Sequence, residues 1–359
     1  MKKLLSLLLV LILVFAIVGC GGQKDDTPAP GSEQGSGSSS ADGIVKLGLG
    51  QLTSIAKSKS ADGENGPMAQ VDTVMAAVGF DKDGKVVSVT IDTAQTRVNF
   101  DKDGKLVSDP SAELKTKVEL GDEYGMKKNS EIGKEWYEQI AELEKWMVGK
   151  TVDEIKSMKT KKVDDAHPAV PDDPDLTSLV TISVQDYIAV VEEAWEKARD
   201  VDSAEKVGLG VVISIGSSKE AEGENGPVAQ VDTIMAATAI TSDGKTAGTI
   251  IDNAQTRVNF DKDGNLTSDP NAEYKTKVEL GDEYGMKKNS EIGKEWYEQI
   301  AELEKWMAGK TLDEIKSMKT KKVDDAHPAV PDDPDLTSLV TISVQDYIAA
   351  VSKSYERAK

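Results

Sequence analysis

Residues 69–91 read AQVDTVMAAVGFDKDGKVVSVTI. Ala69–Phe80 is apolar almost throughout, Lys85–Ile91 alternates as KVVSVTI, and DKDG at 81–84 separates them. Two β-rich runs around a short Asp/Gly turn predict a hairpin. Upstream, Val45–Ile55 is rich in β-formers and glycine, and a second DKDG at 101–104 lies between further β-like runs. Downstream the apolar period lengthens from two to about 3.6 residues. Ile132, Trp136, Ile140, Leu143 and Met147 fall on one helical face, with Asn129 or Ser130 as the expected cap and Gly149 as the stop. Thr151-Val-Asp-Glu154 reads as a capping box for a short helix. Ser183-Val-Gln-Asp186 offers a similar cap to a last helix, with Ile188, Val191 and Trp195 on one side. Strands first and helices afterwards give an α+β fold, an antiparallel sheet followed by helices.

The whole pattern occurs twice. GENGPMAQVDTVMAA at 63–77 returns as GENGPVAQVDTIMAA at 223–237, a period of 160 residues. From Lys115 to Val191 the second copy differs only at Val148/Ala308, Val152/Leu312 and Val190/Ala350. Solenoid units run about 20–50 residues, whereas this period has the size of a self-sufficient domain. Two tandem domains are expected, 44–200 and 204–359, joined by the polar stretch Asp200–Glu205.

Ahead of them, MKKLLSLLLVLILVFAIVGC at 1–20 has two lysines, an apolar run and a small residue before Cys20. That is the anatomy of a secretory signal, and the run is short for a membrane span. Ile17-Val18-Gly19-Cys20 resembles the bacterial lipobox, so residues 1–19 are expected to be removed and Cys20 to carry lipid. Two or more acyl chains anchor firmly where one does so only marginally. Residues 20–43 have no apolar run and read as a flexible, disordered tether. The chain is thus expected on the outer face of the bacterial cell membrane. Cys20 is the sole cysteine, so lipidation leaves no thiol for a disulfide, a nucleophile or a zinc site. The formal net charge of −20 argues against nucleic acid and anionic lipid surfaces as partners.

Gly48-Leu-Gly50 and Gly208-Leu-Gly210 carry half of a dinucleotide fingerprint, but strand-like residues follow and the third glycine is missing. Asp101-Lys-Asp103-Gly104 is too short for a calcium loop and reads as a turn. His167 and His327, the only histidines, lie in VDDAHPAVPDDPDLTS at 163–178 and 323–338. With three prolines separating its charged groups, this stretch reads as a solvated loop and not as a metal site. Trp136 and Trp195 fall on apolar faces and are expected in the core.

The segment Asp175-Leu-Thr-Ser178-Leu179-Val180-Thr181 is more specific. It resembles the C-terminal signature of the FMN-binding domain family, Asp-x-x-Ser/Thr-Gly-Ala-Ser/Thr followed by a helix. That family is found in membrane-bound oxidoreductases and in flavin-bearing extracytoplasmic lipoproteins of Gram-positive bacteria. The resemblance implies cofactor-binding roles for Asp175, Ser178 and Thr181 and for Asp335, Ser338 and Thr341, with FMN attached through the last hydroxyl by a separate transferase. Leu179-Val180 and Leu339-Val340 replace the family's Gly-Ala. Glycine lets a ligand approach the backbone, whereas an LVTI run favours a buried strand leading into the last helix. The expected function is therefore a non-enzymatic module binding a small molecule or an envelope protein. The alternative is an electron-transfer lipoprotein with FMN on Thr181 and Thr341.

Overall fold

The computed structural model describes residues 43–359. The expected signal peptide, Cys20 and the expected tether up to residue 42 lie outside the described residues.

The expected hairpin forms. β1 (Ile44–Ser54), β2 (Met68–Phe80) and β3 (Val86–Asn99) pair antiparallel, with Leu49 opposite Ala77 and Val74 opposite Thr93. The DKDG turn closes through Gly84 N–H to Asp81 O at 3.1 Å, and Gly84 sits at φ +77°, where glycine carries no Cβ penalty. From Val74 onward β2 is apolar because both faces are covered. Val71, Met75 and Ala77 face one layer, while Val74, Ala76 and Val78 face another.

The second layer is helical: α1 (Lys117–Leu120), α2 (Trp136–Met147), α3 (Val152–Lys156) and α4 (Gln185–Glu196), with a two-residue ladder of β4 (Thr160–Lys161) and β5 (Val170–Pro171). Trp136, Ile140, Leu143 and Met147 are buried against the sheet as their spacing predicts. The helix starts later than expected, however. Gly133 at φ +64° keeps Ile132 out of it, and Glu135 closes a capping box with Glu138. The capping box at Thr151 and Glu154 forms as read. Ser183 is not a cap; its hydroxyl accepts from Ala169 N–H at 3.2 Å. The buried face of α4 is Tyr187, Val190, Val191 and Ala194, so Trp195 is not a core residue. It is 37% exposed and meets Phe80 edge-on at 4.9 Å.

The polar stretch expected as a linker is instead β6 (Arg199–Ala204), which adds to β1 and gives the sheet order β3-β2-β1-β6. The second repeat then retraces the first with β7 (Lys206–Ser214), β8 (Val228–Ile240), β9 (Thr246–Asn259), α5 (Lys277–Leu280), α6 (Trp296–Met307), α7 (Leu312–Lys316), β10 (Thr320–Lys321), β11 (Val330–Pro331) and α8 (Gln345–Glu356). The architecture is α+β with antiparallel sheets. The two main sheets share one apolar core, in which Leu47, Leu49, Val71 and Met75 pack with Leu209, Val211, Val231 and Met235. Each repeat keeps its own helix–sheet core on the opposite face.

The glycine pairs of β1 and β7 are explained by this packing. A Cβ on Gly50 would lie 1.9 Å from the Val190 carbonyl oxygen, and one on Gly48 would lie 2.0 Å from that of Ala194. Gly208 and Gly210 meet the backbone of α8 at 1.8 Å in the same way. They are small so that a helix can cross the strand.

Candidate functional site

The short helix α1 forms because Thr116 and Glu119 build a capping box, and Thr116 also donates to the buried Asp92 at 2.6 Å. This places Lys115 and Lys117 beside Arg97 of β3. Together with Gln95, Glu123, Tyr124, Met126 and Asn129 they surround a groove of about 480 Å³. The second repeat builds the same groove, about 420 Å³, from Gln255, Arg257, Lys275, Lys277, Tyr284, Met286 and Asn289. Both sizes fall in the range of small-molecule sites.

Each of these cations has a defined partner. Arg97 Nε donates to Gln70 Oε1 at 2.9 Å, as Arg257 Nε does to Gln230 Oε1 at 2.8 Å. Lys117 Nζ lies 5.0 Å from the Tyr124 ring and 5.2 Å from that of Trp136. Its counterpart Lys277, only 7% exposed, lies over Tyr284 and Trp296 at 5.1 and 5.3 Å. Burial pulls the Lys117 ammonium down to about 8, against the opposing pull of Asp72. Lys115 pairs with Glu123 at 3.1 Å, both exposed. Arg97, Lys115 and Lys117 against Glu123 leave the groove net positive within an acidic chain.

Beside this groove in the second repeat lies a cleft of about 450 Å³, which shares Met286 and Asn289 with it. Thr341, His327, Lys321, Ser290 and Gln299 line this cleft. Thr341 thus reaches a cavity, with its backbone N–H and hydroxyl both directed to Gln299 Oε1 at 2.8 and 3.3 Å. Thr181 makes the same pair of bonds to Gln139, at 2.8 and 3.3 Å. The segment before it is not a strand. Leu176 and Thr177 N–H bond back to Asp173 O, and Leu179 and Val180 N–H bond to Leu176 O. Two tight turns bury Val180 completely and leave Asp175 and Ser178 exposed. Asp335 and Ser338 are likewise exposed and are not among the residues lining the cleft.

The histidine loops close on themselves. His167 Nδ1 and N–H both meet Asp164 Oδ1, at 2.9 and 2.7 Å, and these bonds hold the Asp164 carboxyl below its ordinary range. Their side chains are 45% and 56% exposed. Among the described residues no cluster of histidine and carboxylate side chains has the arrangement of a metal site. The second DKDG is a turn in which Asp101 Oδ1 accepts from Asp103 and Lys105 N–H at 2.9 and 2.8 Å.

The sequence reading singled out Thr341 but missed Arg97, Lys115 and Lys117 and their counterparts. A signal was present: Lys115-Thr-Lys117-Val-Glu119 sets two cations on a capping box in an acidic chain.

No family model matches the chain, and no solved structure matches it. A chlorophenol reductase of Desulfitobacterium hafniense is 32% identical over 114 residues, covering 24% of this chain and 35% of that protein. The chain therefore matches about a third of the length of that relative.

Proposed function

We propose that this chain is a membrane-anchored extracytoplasmic lipoprotein, held by lipid on Cys20, whose two repeats each bind a small anionic ligand without catalysing a reaction. The observation that carries this reading is the groove of Arg97, Lys115, Lys117 and Tyr124, built twice in a chain of net charge −20. Cations beside an aromatic ring suit a phosphate joined to a planar group. FMN, bound noncovalently, is the ligand we place first, in keeping with the resemblance to the FMN-binding domain family. An envelope protein is the competing partner.

A second reading has support of its own. Thr341 lines a cleft that adjoins the cationic groove at Met286 and Asn289, and one relative is named a reductase. In that reading Thr181 and Thr341 carry FMN and the lipoprotein passes electrons.

One experiment separates the two. The mature protein is titrated with FMN and with riboflavin, which lacks the phosphate, while flavin fluorescence is followed. It is then coexpressed with a flavin transferase and denatured. Noncovalent binding predicts FMN saturation at two per chain, weak riboflavin binding, and colour lost on denaturation. Colour retained on denaturation and lost in Thr181→Ala plus Thr341→Ala establishes the second reading, and no FMN binding at all sinks both. Palmitate labelling that disappears in Cys20→Ala tests the anchor.

A further inference from the structure

The two repeats exchange charges across their interface, and the exchange is complete on one side only. On the first side three carboxylates of repeat one meet three cations from the end of repeat two. Asp92 Oδ2 lies 2.8 Å from Arg357 Nη1, Glu119 lies 2.7 Å from Lys353, and Glu144 pairs with Lys359. On the second side Glu304 takes Arg199 at 2.7 Å, the counterpart of Lys359. Lys197, which stands where repeat two has Arg357, turns away to Glu193 and Glu279, each at 2.5 Å. Asp252 keeps backbone donors, Asn253 N–H at 2.7 Å and Val278 N–H at 3.2 Å, but receives no cation. Four carboxylates on this side, Glu193, Asp252, Glu279 and Glu304, thus face two cations, Lys197 and Arg199.

The place of the missing guanidinium is a cavity. About 300 Å³ opens between the repeats, reaching the 8%-exposed Asp252, with Leu49, Ile250 and Val278 on its apolar sides and Gln51, Glu279 and the already paired Lys197 and Arg199 on its polar ones. From this we propose that the inter-repeat cavity at Asp252 is a binding site for a small organic cation, a guanidinium or primary ammonium carrying a short apolar arm. The ligand's charged head takes the position that Arg357 occupies against Asp92, and its arm lies along Leu49, Ile250 and Val278. A buried carboxylate held by two backbone donors and the Thr276 hydroxyl is pre-oriented for a planar donor group. The internal counterpart shows that the fold accepts a guanidinium there. The site is distinct from the anion grooves and does not depend on what they bind.

The test is a calorimetric titration of the mature protein with butylguanidinium, with tetramethylammonium, which cannot donate hydrogen bonds, as the control. The expected result is one saturable butylguanidinium site per chain and none for the control. Asp252→Asn removes the charge and should weaken binding about tenfold or more, equivalent to about 1.4 kcal/mol. Lys197→Arg restores the residue found in repeat two, so it should fill the cavity, abolish binding and raise the melting temperature. The second variant keeps the test decisive if Asp252→Asn does not fold. Absence of saturable binding to the wild-type chain overturns the proposal, as does binding that Lys197→Arg leaves intact.

Discussion

Arg199→Ala tests how the repeats hold together, and the size of its effect follows from Glu304. That carboxylate is buried, donates nothing, and accepts from Ile251 N–H at 2.7 Å and from Arg199 at 2.7 Å. Burial pushes its pKa from 4.5 to about 7, with Arg199 opposing the rise. The folded state therefore holds this proton more tightly than the unfolded chain. Its contribution is greatest below pH 4.5, falls as the pH climbs, and levels off above pH 7, a total of about 3 kcal/mol. Removing Arg199 raises the folded pKa further and leaves the protonated state untouched. Breaking a fully buried pair costs about 3–5 kcal/mol. The Arg199 side chain is 48% exposed, so water screens part of this. We expect Arg199→Ala to lose about 1–2 kcal/mol at pH 8 and less than about 0.5 kcal/mol at pH 5. Glu304→Gln should flatten the decline between pH 4.5 and 7, since its amide oxygen still accepts from Ile251. Urea unfolding followed by tryptophan fluorescence at the two pH values measures both. An equal loss at pH 5 and pH 8 would refute the reasoning, because it would mean that Arg199 acts by packing and not by charge.

Other expectations are simpler. Gly50→Ala drives a Cβ to 1.9 Å from the Val190 carbonyl, so α4 must shift; a loss of about 3 kcal/mol in chemical denaturation is expected, and wild-type stability would contradict the packing. Trp136→Phe removes the Nε1–H bond to Tyr187 OH at 2.9 Å inside the helix–sheet core and should cost about 1–3 kcal/mol by the same assay. Lys117→Met and Lys277→Met together should weaken FMN binding at least about tenfold, equivalent to about 1.4 kcal/mol. Because Lys117 titrates near 8, wild-type affinity should also fall between pH 7 and 9, as the ammonium is protonated below that value and neutral above it. A flat affinity profile would remove Lys117 from the binding role.

Much of the fold is local and was legible. The β2–β3 hairpin announces itself through DKDG and alternation, and α2 through the burial of Trp136, Ile140, Leu143 and Met147 on one face. Where the reading failed, a contact distant in sequence had overridden a local preference. Ser183 has the composition of a cap but is used by Ala169. Leu179-Val180 has β propensity but folds into turns once Val180 drops into the core. Arg199–Ala204 is polar enough for a linker, yet β1 offers it an open edge. The cationic groove was not legible, because Arg97 and Lys117 lie on separate elements and their approach depends on how α1 seats on β3; Thr341, named from the motif, lines the neighbouring cleft of the second repeat.

By itself the sequence determined the duplication, the element types, the acidic balance and the lipobox-like segment around Cys20, because each is written in neighbouring residues or in a direct match of one half to the other. The tertiary structure alone decided that the halves share a core and exchange cations, and that their exchange is incomplete at Asp252. Lys197 and Arg357 stand at equivalent positions, but Lys197 has Glu193 one helical turn before it where Arg357 has Lys353, and the carboxylate each cation finally meets across the interface is set by the packing. Lys197 is held by Glu193 four residues before it and by Glu279 of the other repeat, and only the packed chain brings the second within reach.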